Sequence, residues 1–186
     1  MPSIELTTPR LCLRTWRDDD LPAFAALNAD PEVMRHFPAC MSREESDALA
    51  ARIVQHFQDH GFGQWVVERR GDGAFVGVLG LQNVNFEAPF TPAVEIGWRV
   101  MRPHWGQGLA CEAAQAALAF AYERLLLAEV VAFTVPDNLR SQALMLRLGM
   151  QRDADGDFEH PRLPEGHPLR PHLLYRLGRA EWEALR

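Results

Sequence analysis

Three groups of residues have types and spacings that could do chemistry. The first is Gly106-Gln107-Gly108. It stands between the period-two run Val94-Glu95-Ile96-Gly97-Trp98-Arg99-Val100 and a segment where Ala110, Ala114, Ala117 and Ala121 recur every three or four residues. The run predicts a strand and the alanines predict one face of a helix. Unpaired N–H groups at that helix start, with the positive end of its dipole, suit a phosphate or pyrophosphate. Glycine there lets the backbone approach an anion with no Cβ in the way. A plain turn closing a strand would use the same residues, and short glycine motifs often match by chance. A dinucleotide-dependent oxidoreductase is disfavoured, because Cys111 stands where a third glycine is required. The second group, His160, His167 and His172, is spaced H-x6-H-x4-H with no cysteine near, which matches no ligand pattern, so no metal is expected. The third, Cys12, Cys40 and Cys111, forms no CxxC pair and reads as the thiols of a cytoplasmic protein.

The residue order around the glycines carries more. Glu95-Ile96-Gly97-Trp98, then Trp105-Gly106-Gln107-Gly108-Leu109-Ala110, then Glu112-Ala113 resemble the acetyl-CoA motif of the GNAT N-acetyltransferases. The likeness is greatest to the Rim-type branch, the ribosomal-protein-alanine N-acetyltransferases and their kin, which acetylate protein N-termini and other amines. Trp105 takes a slot where the wider superfamily has Arg or Gln, a departure that fits this branch. Asn138-Leu139-Arg140-Ser141 and Arg147-Leu148-Gly149-Met150 resemble the family's Asn-x-x-Ser helix and its exit. The resemblance runs from Thr8-Pro9-Arg10-Leu11 to Tyr175.

It implies acetyl-CoA as co-substrate. The turn Trp105, Gly106, Gln107, Gly108, Leu109 and Ala110 would hold the pyrophosphate. Trp98, Arg99 and Val100 would run beside the pantetheine arm, and the Val100 N–H would donate to the thioester oxygen. Asn138 would contact the arm, and Ser141 would stand near the sulfur. Glu95 is the candidate general base: it shares a strand face with Gly97 and Arg99, and the glycine leaves room for a substrate. A glutamate carboxylate, which ordinarily titrates at about pH 4.3, must be shifted upward, or act through water, to deprotonate an ammonium. The plainer alternative is a surface glutamate paired with Arg99. Ser141 is the candidate general acid, since Met145 stands where many of these enzymes carry a tyrosine. An ordinary first-turn serine would look the same. Phe37, Phe90 and His160 are candidates for the acceptor pocket with Glu95 and Arg99, although core packing would equally explain the aromatic residues. No cysteine or serine–histidine pair sits where a covalent intermediate needs one, so the amine should attack the thioester directly in a ternary complex.

The elements that must position these residues follow from patterning. Arg10 to Trp16 alternates as a first strand, and one of Asp18, Asp19 and Asp20 should N-cap a helix from Leu21 to Asn28. Asp30-Pro31 restarts a short helix ending near Phe37-Pro38. Ser42 with Glu45 forms a capping box for a helix of about 18 residues, up to Gly61. Gln64–Arg69 and Phe75–Leu81 are strands joined through Gly71-Asp72-Gly73. A loop over Val84–Pro92 leads to the strand bearing Glu95. Glu129–Val135 is an apolar strand, Asn138 should cap a helix through Leu148, and Gly149 should end it. Asp153–His172, rich in Asp, Glu, Gly, Pro and His, reads as a long functional loop. Leu173–Leu177 closes the sheet and Ala180–Leu185 is a terminal helix.

At 186 residues and 47% hydrophobic content, one sizeable core is expected. The whole chain, 1–186 with a core over 8–178, reads as a single N-acetyltransferase domain. The fold class expected from the resemblance is α/β, a GNAT-like mixed central sheet of about six or seven strands with helices on both faces. No apolar run of about 18 residues and no secretion signal are present, so neither a membrane partner nor export is expected. A formal net charge of −6 disfavours nucleic acid and is compatible with a cationic amine acceptor. The acceptor would be a peptide N-terminus, a peptide side-chain amine or a small amine, and the protein a monomer or homodimer. A catalytically silent acyl-CoA-binding sensor is the alternative from another class.

Overall fold

Ser42 accepts a hydrogen bond from the Glu45 N–H while Glu45 accepts from the Ser42 N–H, and the helix they open runs to a left-handed Gly61 at φ 73°. Each cap is worth about 1 kcal/mol and fixes where the helix begins and ends, while its buried Ala50 and Ile53 anchor one face. The computed structural model describes residues 4–186. In chain order the elements are β1 (Leu6–Thr7), β2 (Leu11–Arg14), α1 (Leu21–Ala29), α2 (Arg43–His60), β3 (Gln64–Arg69), β4 (Phe75–Asn83), β5 (Val94–Val100) and α3 (Leu109–Glu123). They continue with β6 (Glu129–Thr134), α4 (Leu139–Arg147), β7 (Gln151–Glu159), β8 (Pro171–Gly178) and α5 (Arg179–Ala184).

The strands form one eight-stranded sheet in the order β1-β2-β3-β4-β5-β6-β8-β7, flanked by helices. β5 and β6 run parallel, whereas β6 and β8 run antiparallel, so the sheet is mixed. Eight strands exceed the six or seven expected: the two-residue β1 and the polar β7 are the additions. By internal contacts the chain divides into two units, residues up to 82 with 97–117, and 83–96 with 118–186.

In the first unit, Phe24, Leu27, Ala50, Ile53 and Val78 form a buried cluster, with Trp16, Leu49, Phe57 and Met101 packed against it. Buried in the same unit is Arg14, which donates to both oxygens of Asp20 at 2.8 and 2.7 Å and to Glu68 at 2.7 Å. Those bonds raise its pKa above the ordinary arginine value. Asp20 precedes α1, yet its side chain does not cap that helix; it accepts from the Arg17 N–H and holds Arg14 instead. A buried guanidinium claims the carboxylate because leaving that charge unpaired costs several kcal/mol, against about 1 for a cap.

In the second unit, Val130, Val131 and Ala132 of β6 are fully buried, as a strand covered on both faces requires. On α3, whose residues up to Ala117 belong to the first unit, Ala114, Ala117 and Ala121 have no exposed surface, while Ala110 in its first turn is partly exposed. The expected long loop over 153–172 is corrected: β7 occupies Gln151–Glu159 and pairs antiparallel with β8, leaving 160–170 as the connection. No apolar alternation marked β7, because it is a solvated edge held by charge. Asp153 bonds Arg176, Arg152 bonds Asp157, and Arg170 bonds Glu159. Polar edges of this kind are the usual protection against strand addition.

Candidate active site

The glycine turn of the first unit is built on β5. Trp105 Nε1 donates to the Val100 carbonyl at 2.7 Å, and the Met101 N–H donates to Val76 O on β4 at 2.9 Å. Successive N–H groups along a strand point to opposite sides, so the Val100 N–H faces away from β4. Gly77 permits the close approach of β4, since a Cβ there would lie 2.2 Å from the Arg99 carbonyl oxygen. Beyond Trp105, Gly106 and Gly108 have φ of 72° and 75°, a region that side-chain-bearing residues avoid. A Cβ on Gly106 would meet nothing within 4 Å, and one on Gly108 only the Arg10 guanidinium at 3.5 Å. The Glu112 N–H closes the first helical bond to Gly108 O at 3.1 Å. The N–H groups of the residues between them are the unpaired donors of a helix start, set beside an open, Cβ-free turn. That geometry fits a pyrophosphate.

Sequence reasoning missed the brace behind this turn. Glu112 accepts from Thr8 Oγ1 at 2.6 Å, from the Arg10 N–H at 2.9 Å and from Arg10 Nε at 2.6 Å. Arg10 Nη1 also donates to Gln107 O at 2.9 Å, and Gln107 Nε2 donates to Pro103 O at 2.8 Å. Burial alone would raise the Glu112 pKa, but the bonds from Thr8 and Arg10 hold it below the ordinary carboxylate value. The available signal was an acidic residue in the first turn of α3, yet nothing local tied it to residues about a hundred positions earlier.

Arg99, in the same unit, meets Asn28 and Phe37. Its Nη1 donates to Asn28 Oδ1, and its Cζ sits 4.2 Å from the centroid of the Phe37 ring. Asn28 is fully buried and donates in turn to Ser46 Oγ at 2.8 Å. Burial lowers the Arg99 pKa to about 10.

In the second unit, Glu95 is half-buried and lies opposite Val131 in the parallel register. Asn138 Oδ1 accepts from the Ser141 N–H at 3.3 Å as the cap of α4, and its Nδ2 donates to Thr134 Oγ1 at 2.9 Å. Ser141 is half-buried, and Met145 is buried. Phe90 and His160 both adjoin Phe86, with ring centroids 6.4 and 4.8 Å away. Phe133, Phe158 and His172 complete the cluster, the two histidine rings 5.1 Å apart. Burial, then the neighbouring His172 and Arg162, pushes the His160 pKa down to about 4; burial also lowers that of His172. Both rings are therefore neutral near pH 7. Phe133 and Phe158 gave no sequence signal beyond their aromatic character, and His172 stood out only through the histidine spacing. Among the described residues no group of three or more His, Cys, Asp or Glu could hold a metal ion, and no helix is long and apolar enough to cross a membrane.

A glycine turn opening the helix after a parallel strand of a mixed sheet offers main-chain donors to an anion, and the sequence comparison supplies the class. Residues 10–151 match the acetyltransferase (GNAT) domain, and the chain belongs to that family of N-acetyltransferases. It is 28% identical to the ribosomal protein uS5 alanine N-acetyltransferase of Escherichia coli, over 98% of this chain and 94% of that protein. It is 32% identical to the FsC-acetyl coenzyme A-N(2)-transacetylase of Aspergillus fumigatus, over 84% of this chain and 68% of that protein. The fold matches a GNAT acetyltransferase of Bacillus anthracis with TM-score 0.78 and 23% identity, covering 95% of this chain and 99% of that one.

Proposed function

We propose that this protein moves the acetyl group of acetyl-CoA to a primary amine by direct attack in a ternary complex, the whole chain acting as one catalytic domain. The observation that supports this best is the pair of left-handed glycines, Gly106 and Gly108, at the start of α3 with open space beside them. The coenzyme's pyrophosphate would rest on the turn from Trp105 to Ala110, and its pantetheine arm along Trp98, Arg99 and Val100. With the Val100 N–H turned away from β4, that donor is free of the antiparallel ladder and suited to polarise a thioester carbonyl. Glu95 would take the proton of the attacking ammonium, directly or through water. Ser141 would supply a proton to the departing thiolate, held by the Asn138 cap. Phe37, Phe90 and His160, with Glu95 and Arg99, would shape the acceptor's surroundings.

Uncatalysed hydrolysis aside, free thiol should appear only when an amine is added. The test is a panel of peptides and small amines with acetyl-CoA, following thiol release and locating the added acetyl group by mass spectrometry. Tight CoA binding with no transfer to any amine would instead favour a silent acyl-CoA sensor.

A further inference from the structure

The first unit holds two inward-facing arginines and treats them oppositely. Arg14 is enclosed with two carboxylates, Asp20 and Glu68, on its guanidinium. Arg99 is met by a neutral amide oxygen from Asn28 and the face of Phe37, and its Nε–H is buried with no hydrogen-bond partner among the described residues. An unmet buried donor costs about 1–3 kcal/mol, and more when the group is charged. A structural role would be served by a carboxylate at Asn28, as Asp20 serves Arg14; the fold instead places asparagine there. Asn28 is itself fixed by Ser46, so the guanidinium plane is held before any ligand arrives. Arg99 as a whole is only partly buried, and it lies on the strand proposed to carry the donor's acyl end.

We propose that Arg99 receives a carboxylate of the acceptor, so that the molecule acetylated carries both a primary amine and a carboxylate, as an amino acid or peptide does. This deepens, and rests on, the acetyl-transfer reading above. A carboxylate matches the guanidinium fork with two parallel N–H···O bonds, and one of them would satisfy the Nε–H. Phe37 fixes the second face of the plane through its cation–π contact and leaves the edge for the ligand. The overall negative charge of the chain, which draws cations from a distance, does not decide the contact. At hydrogen-bonding range an uncompensated guanidinium outweighs a screened long-range field and disfavours an acceptor that is only cationic.

The test uses the full chain and matched acceptors: phenylalanine against phenethylamine, lysine against cadaverine, and alanyl-phenylalanine with a free or an amidated C-terminus. Turnover is followed by thiol release, and binding by thermal shift of the CoA-loaded protein. The carboxylated member of at least one pair should have a KM about tenfold lower or better. Arg99→Met should remove that preference by raising the KM of the carboxylated member far more than that of its matched amine, and Arg99→Lys should restore part of it. Asn28→Asp, which supplies an internal carboxylate and keeps the guanidinium, should abolish the preference as well and covers the case in which Arg99→Met does not fold. The amino-acid and dipeptide arms separate an α-carboxylate from one at a peptide's end. Equal use of both members of every pair, or an equal loss for both on substitution, overturns the proposal. If the wild type acetylates no amine, the transfer reading fails. The thermal shift then decides alone: a carboxylate-dependent shift lost in Arg99→Met upholds the role of Arg99, and no shift overturns it.

Discussion

The turn from Trp105 to Ala110 and the aromatic cluster of Phe86, Phe90, Phe133, Phe158, His160 and His172 are built on different principles. The turn offers main-chain N–H groups and needs from its sequence only glycine at two positive-φ positions. Its brace, Thr8, Arg10 and Glu112, holds the backbone from behind, with the Arg10 guanidinium reaching the Gly108 side of the turn. The cluster is made of side chains from the β4–β5 connection, β6, β7, the β7–β8 connection and β8, and its character comes from what those rings exclude. With His160 at a pKa of about 4, it is a neutral surface despite two histidines. A backbone site tolerates varied side chains and serves one constant ligand. A side-chain site can be retuned residue by residue, which is where acceptor choice in an acetyltransferase family can vary while the coenzyme does not.

Substitutions can break or sharpen that contrast. The largest effect should come from Glu95→Gln, which removes the proposed general base: turnover should fall by about 10²- to 10⁴-fold with CoA affinity nearly unchanged. Steady-state kinetics beside CoA titration checks this, and unaltered turnover removes Glu95 from the reaction. Gly108→Ala leaves room for a methyl group but imposes a left-handed conformation costing about 1–2 kcal/mol. Acetyl-CoA binding should weaken about tenfold, with turnover at saturating coenzyme nearly retained. Wild-type affinity in that variant would mean the turn does not carry the coenzyme. Ser141→Ala should lower turnover by less than about tenfold, because a thiolate leaves tolerably without an acid.

The smallest effect concerns pH and the cluster. The folded His160 pKa of about 4 lies below the unfolded value of 6.5, so the unfolded chain binds more protons between them. The stability tied to its neutral form is present above pH 6.5 and is lost as pH falls toward 4. Melting temperatures of the wild type should therefore decline across this window more steeply than those of His160→Phe. Parallel declines would show that His160 is not held neutral by the cluster.

Much of the frame could be read from local pattern. The limits of β5, the capping box at Ser42 and Glu45, the helix end at Gly61 and the Asn138 cap all depend on residues within a few positions of one another, and each formed as expected. The turn was legible for the same reason. β7 was not, because its stabilising partners lie on β8: Asp153 meets Arg176, 23 residues on. Asp20 read as a helix cap, and a buried arginine from the neighbouring strand took it instead. Glu95 and Ser141 stood out only through their place in a motif, which assigns a role without showing surroundings. For Arg99, the amide it bonds is Asn28, 71 positions earlier, which no local pattern could supply.

The amino-acid order by itself determined where chain direction, helix ends and the glycine turn would lie, since these follow from φ/ψ preference and hydrogen bonds spanning three or four residues. Only the tertiary structure decided which charges meet. It matched Arg14 with two carboxylates and gave Arg99 an amide and a ring, because burial removes water as the default partner and leaves each polar group to whatever distant segments packing brings beside it.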